Sequence, residues 1–112
     1  MIDYQDLLFA SYTSDFDCYR LVIECTKRNG KELKNFHDIK KADVKDLQNF
    51  VKRANVREIQ EPKDGAIMQT EFNNEIHLGF MLDEKNVLHI IKTGTRVSPV
   101  EVFKNKKFFE VV

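Results

Sequence analysis

Ile76-His77-Leu78-Gly79-Phe80-Met81-Leu82, then Asp83-Glu84-Lys85-Asn86, then Val87-Leu88-His89-Ile90-Ile91-Lys92, is the stretch that decides the fold. Ile76, Leu78, Phe80 and Leu82 alternate with His77, Gly79 and Met81, the period of a strand with two unlike faces. The four polar residues that follow make a turn, and Val87 to Lys92 returns as a second strand. The reading is an antiparallel hairpin. His77 and His89 then point the same way, a rung apart, if the connecting loop holds an odd number of residues.

Outward from the hairpin, Thr95–Ser98 and Phe108–Val112 read as further strands. Lys63-Asp64-Gly65 is a turn into a strand over Ala66–Thr70. Before Pro62 the pattern becomes helical. Asp3 to about Ser11 is a short amphipathic stretch with Tyr4, Leu7 and Leu8 on one face. Asp17 is an N-cap for a helix running to about Arg28, where Asn29-Gly30 stops it. Cys18, Leu21, Val22 and Cys25 form its apolar stripe. Asp43 to Ala54 repeats the pattern with Val44, Leu47, Phe50, Val51 and Ala54. Helices first and antiparallel strands second is an α+β arrangement, with helices packed on a C-terminal sheet.

A length of 112 residues fits one domain spanning 1–112. Eighteen basic residues balance eighteen acidic ones, so phosphate neutralisation has no basic excess to draw on and nucleic acid is not an expected partner. No apolar run approaches the roughly 20 residues that span a bilayer, which argues against membrane insertion. The opening Met1-Ile2-Asp3-Tyr4-Gln5-Asp6 is acidic where a secretory signal would be basic, so synthesis and retention in the cytoplasm are expected. Cys18 and Cys25, seven residues apart on one helix, are out of disulfide reach. No zinc-finger spacing is present, and Cys18, His77 and His89 lack a fourth group to complete a metal site. No metal or other cofactor is expected.

The candidates for chemistry are few. Cys18 follows the cap Asp17 and so lies in the first helical turn, where the helix dipole favours thiolate over thiol. A small buried residue on an apolar stripe would look the same. Cys25, mid-helix, reads as core. His77 and His89 read either as packed rings satisfied by backbone or as a functional pair, and His37 as a surface residue. Together, a cysteine at a helix N-terminus and two histidines on a hairpin supply the parts of a Cys–His–X triad.

Phe16-Asp17-Cys18-Tyr19-Arg20-Leu21-Val22 resembles the Asp-Cys-x-Gly-Leu-Val signature of NlpC-type cell-wall peptidases, small papain-like cysteine enzymes. Pro62-Lys63-Asp64-Gly65-Ala66-Ile67 resembles their Pro-Gly-Asp segment. His77-Leu78-Gly79-Phe80-Met81-Leu82 is similar to their catalytic His-Val-Gly-Ile-Tyr-Leu strand, and Val87-Leu88-His89 to the strand bearing the third polar residue. The four segments occur in the family's order across most of residues 12–91. The short form is most similar to peptidases of phage tail-assembly modules.

The resemblance implies a papain-like fold and a cofactor-free cysteine endopeptidase cleaving an amide of the peptidoglycan stem peptide. It implies Cys18 as nucleophile, His77 as general base and acid, and His89 as its orienter. The Cys18 backbone N–H and the Tyr12 hydroxyl would form the oxyanion hole. Asp17 and Arg20, flanking Cys18, complete the substrate-binding set. Arg20 stands where the motif has glycine, and Tyr12-Thr13-Ser14-Asp15 lacks the family's Gly-Gly. Phage tail proteins are the implied macromolecular partners, and the virion tail is a second location. Two other readings remain open on the same residues: a non-catalytic tail or wall-binding module, favoured by the lost glycines, and a deacylase or amidase acting on another amide.

Overall fold

The computed structural model describes residues 2–13, 16–33, 55–72 and 75–112. The expected helix over Asp43–Ala54 and the surface histidine His37 lie outside them. The fold is α+β: one α-helix and a six-stranded antiparallel sheet among the described residues. α1 runs Cys18–Arg28. Its cap is as expected, with Asp17 in extended backbone and its Oδ1 accepting a hydrogen bond from the Arg20 N–H at 3.0 Å. At the other end Gly30 takes φ 80°, the left-handed conformation that ends a helix without a Cβ penalty.

The first amphipathic stretch is shorter and tighter than the sequence suggests. Gln5–Phe9 is a 3-10 helix with no side-chain cap. Three residues per turn align Tyr4 with Leu7 and leave Leu8 off the face, so Leu7 is buried while Leu8 is 39% exposed. Arg28 ties this segment to the end of α1. Its guanidinium donates to both carboxylate oxygens of Asp6, at 2.6 and 2.8 Å, and to the Asp3 carbonyl at 3.0 Å. The same hydrogen bonds hold the Asp6 carboxyl below its ordinary pKa.

The strands are β1 (Val56–Ile59), β2 (Ile67–Phe72), β3 (Glu75–Met81), β4 (Asn86–Ile91), β5 (Gly94–Pro99) and β6 (Lys107–Val111). They lie in the order β1-β6-β2-β3-β4-β5. All five strands expected between residues 66 and 112 are present, each starting one residue from its expected position. β1 has no counterpart in the sequence reading. Val-Arg-Glu-Ile carries no alternation, and its place at the sheet edge depends on a distant partner, β6. Arg57 of β1 pairs with Glu110 of β6, which Lys63 also reaches.

Strand alternation divides the core in two. One side of the sheet packs under α1: Ile67, Leu78 and Phe109 meet Tyr19 and Val22, while Phe80, Leu88 and Ile90 meet Leu21 and Cys25. The other side carries Met68, Met81, Val87 and Phe108, covered by Phe103. Phe103 follows a 3-10 turn at Val100–Val102.

Gly79 sits on that second side, and a Cβ there would lie 2.4 Å from Val87 Cγ1 and 3.3 Å from the Leu88 carbonyl oxygen. Gly79→Ala should therefore cost about 1–3 kcal/mol in urea unfolding. Adding Val87→Ala should recover part of that loss, a favourable coupling measurable by double-mutant cycle.

Candidate active site

His77 and His89 stand on β3 and β4, on the side that carries Met81 and Val87. Met81 pairs with Val87 across a five-residue connection, so both odd-numbered histidines share a face. They meet diagonally across Gly79, whose Cβ would fall 3.5 Å from that of His89. His77 Nε2 and His89 Nδ1 are 3.0 Å apart, with ring centroids at 5.1 Å and planes at 82°. The second nitrogen of His89, Nε2, lies 2.8 Å from Ser98 Oγ on β5. Phe103 closes over His89 edge-on, centroids 5.1 Å apart. The Thr70 hydroxyl, donating to the Lys104 carbonyl, ties the following loop to β2 beside His77.

Both rings are nearly out of water, His77 at 7% and His89 at 5% exposure. Burial pushes each imidazole pKa down to about 4, and for His89 the neighbouring His77 and Arg96 push the same way. At neutral pH the pair is uncharged. One proton lies between two ring nitrogens, and a hydroxyl sits at the far end of the chain.

Cys18 is half-buried in the first turn of α1 and packs against both core clusters of the helix side. β3 turns Leu78 and Phe80 towards α1 and His77 to the other side. The β3–β4 ladder is limited to Phe80↔Leu88 and Met81↔Val87, so the strands are not laddered at His77. Cys25 is fully buried, and desolvation raises its thiol pKa to about 12, as suits a core residue. Neither cysteine is in a disulfide.

The other sequence candidates are dispersed. Asp17 is 1% exposed and its carboxylate serves as the helix cap. Tyr12 is 37% exposed, in a segment that the Thr95 hydroxyl holds through the Ala10 carbonyl at 3.2 Å. Arg20 does not simply point into solvent: its Nε is shielded from water without a hydrogen-bond partner among the described residues. Sequence reading missed Ser98 and Phe103. Ser98 had a signal, since it lies on an expected strand one hairpin beyond His89. Phe103 had none, because a loop sets its position.

Among the described residues, no three His, Cys, Asp or Glu side chains gather closely enough to hold a metal ion, and no helix is long and apolar enough to cross a membrane. Comparison with protein-family models, with curated proteins and with solved structures finds no match for this chain.

The buried pair makes stability depend on pH. Below the ordinary imidazole pKa of 6.5 the unfolded chain takes up protons that the folded pair refuses, down to about 4. Stability is full above 6.5 and falls through that window, by roughly 3 kcal/mol for the first proton the pair declines. Thermal unfolding should show the slope already between about pH 6.5 and 5, above the carboxylate range. His77→Gln with His89→Gln should flatten it. Iodoacetamide should label Cys18 in the native protein and Cys25 only on unfolding, read by peptide mass spectrometry.

Proposed function

We propose that the chain is a cysteine peptidase of the NlpC type, hydrolysing an amide of the peptidoglycan stem peptide in a phage-tail setting. The observation that carries this reading is the 3.0 Å contact between His77 Nε2 and His89 Nδ1. It is the base–orienter geometry that the resemblance requires, between the two residues it names, twelve positions apart. A capped helix with a half-buried cysteine in its first turn supports the same reading. The substrate and the tail association rest on the resemblance alone.

This mechanism requires Cys18 to reach His77 past the end of the β3–β4 ladder. Nδ1 of His77, the nitrogen turned from His89, takes the thiol proton. The thiolate attacks the amide carbonyl, and the Cys18 N–H with the Tyr12 hydroxyl holds the oxyanion. Imidazolium His77 then protonates the leaving amine, and a thioester joins substrate to Cys18. Water, losing its proton to His77, releases the acid and returns the thiol. His89 accepts from His77 Nε2–H throughout and keeps the ring in place. Arg20, with its unpaired Nε, is the group for an acidic part of the stem.

One observation favours the non-catalytic alternative. α1 packs on the Leu78 and Phe80 side of β3, and His77 is turned from it, so nucleophile and base approach from opposite sides of the strand. The two readings separate on purified stem peptides. Cys18→Ala and His77→Ala should each lower turnover by roughly 10³-fold or more with melting near wild type. Cys25→Ser should lower the melting temperature and spare the rate. Activity that survives His77→Ala unchanged would remove the mechanism, and an inactive wild-type chain on every stem peptide would leave the binding module.

A further inference from the structure

We infer that Gln69 is a ligand-binding residue: its side-chain carbonyl accepts a hydrogen bond from an amide N–H of a peptide lying beside Cys18, on the α1 side of the sheet. Its service to catalysis rests on the reading of Cys18 as nucleophile, whereas the amide site itself rests on geometry.

Gln69 lies on β2 and is 8% exposed. Its Oε1 is shielded from water without a hydrogen-bond partner among the described residues. A buried carbonyl oxygen with no donor costs stability, and native proteins keep few of them. A donor that arrives with a ligand accounts for keeping this one. Alternation along β2 puts Gln69 on the face of Ile67, under α1, with Thr70 and its partner His77 on the other face.

Two anchors fix which end of α1 lies near Gln69. A Cβ on Gly65 would lie 2.5 Å from the Asn29 side-chain nitrogen, and Lys31 Nζ donates to the Val111 carbonyl at 3.1 Å. Both hold the C-terminal end of α1 at the start of β2, since Val111 lies beyond the Ile67↔Phe109 pair. From Asn29 back to Cys18 is about 16 Å of helix. From Gly65 on to Gln69 is about 13 Å of extended chain. The helix covers that distance over the sheet, with Tyr19 and Val22 on the cluster that holds Ile67 and Leu78. Leu78 is the β3 partner of Gln69, and half-buried Cys18 packs against that same cluster. Thiol and carboxamide therefore come to one end of the sheet, on one side of it.

The ligand class follows from the missing group. Oε1 needs a donor, and Lys107, the β6 partner of Gln69, already carries positive charge on the same face. A cationic donor would be repelled there, so a neutral N–H is the fitting group. A peptide supplies one at each residue. In an extended peptide the N–H and C=O of one residue project to the same side, so that residue can also accept from Gln69 Nε2–H. An ester of the same shape offers no N–H and leaves the oxygen unpaired.

The experiment compares two alkylating probes at Cys18 in the full chain, read by peptide mass spectrometry. Iodoacetamide carries the N–H, and methyl iodoacetate has an ester in its place. Rates on free N-acetylcysteine correct for intrinsic reactivity. The wild type should favour the amide probe by roughly threefold to tenfold over that reference, and Gln69→Leu should abolish the preference. Gln69→Leu should also raise the melting temperature, because it removes the unpaired oxygen and keeps an apolar side chain in its place. A merely structural glutamine would lower it. No amide preference in the wild type, a preference that survives Gln69→Leu, or a lower melting temperature for that variant would each overturn the inference. If the preference is lost as expected while the wild type leaves stem peptides intact, the inference holds and the peptidase reading fails. If stem peptides are cleaved with a KM unmoved by Gln69→Leu, the peptidase reading holds and the inference fails.

Discussion

An imidazole taken out of water needs a partner for each polar nitrogen, and the centre of this sheet holds two such rings back to back. His77 and His89 answer one another at 3.0 Å, and much of the local architecture follows from making that contact dry and close. Gly79 keeps side-chain bulk out of the space between the strands. Phe103 covers the outer ring, and Thr70 anchors the loop that brings it there. The hydroxyl of Ser98 completes the chain at the edge strand. Each of these groups lies on the same side of the sheet, and none belongs to α1.

The other side of the sheet is apolar and does a different task. Leu21, Val22 and Cys25 of α1 press on Leu78, Phe80, Leu88 and Ile90, and that burial sets where the first turn of the helix ends up. Cys18 owes its place to this packing together with the Asp17 cap. The thiol and the imidazoles are thus positioned by separate halves of the core. Alternation along β3 gives a residue in one half a neighbour in the other at every step.

Much of this was legible in the chain because it is local. The Asp17 cap, the Asn29-Gly30 stop and the Lys63-Asp64-Gly65 turn depend on residues within a few positions of each other. So does the Asp83 turn, where one carboxylate oxygen accepts from the N–H groups of Lys85 and Asn86. The shared face of His77 and His89 was legible only as a condition on the loop: the four-residue turn read at Asp83–Asn86 would have separated them, and the pairing of Met81 with Val87 across five residues brings them together. Illegible features depended on distant partners or on a change of helical period. β1 exists because β6 is there to pair with it. Leu8 left the apolar face because a 3-10 helix has a period of three, which a short amphipathic pattern cannot distinguish from an α-helix. The side of β3 on which α1 packs was also out of reach, since alternation defines two faces without saying which receives a helix.

The spacing of the histidines has a consequence for how the site comes into being. The contact closes a loop of only a dozen residues within one hairpin, so it carries a small entropic cost and can form as soon as β3 and β4 meet. Docking of α1 on β3 joins segments about half a chain apart and waits for the sheet to gather its other strands. The imidazole pair is in this sense an early, self-contained product of folding, and the thiol is a late arrival. Any loosening of the core that frees α1 would separate the two chemistries while leaving the pair intact.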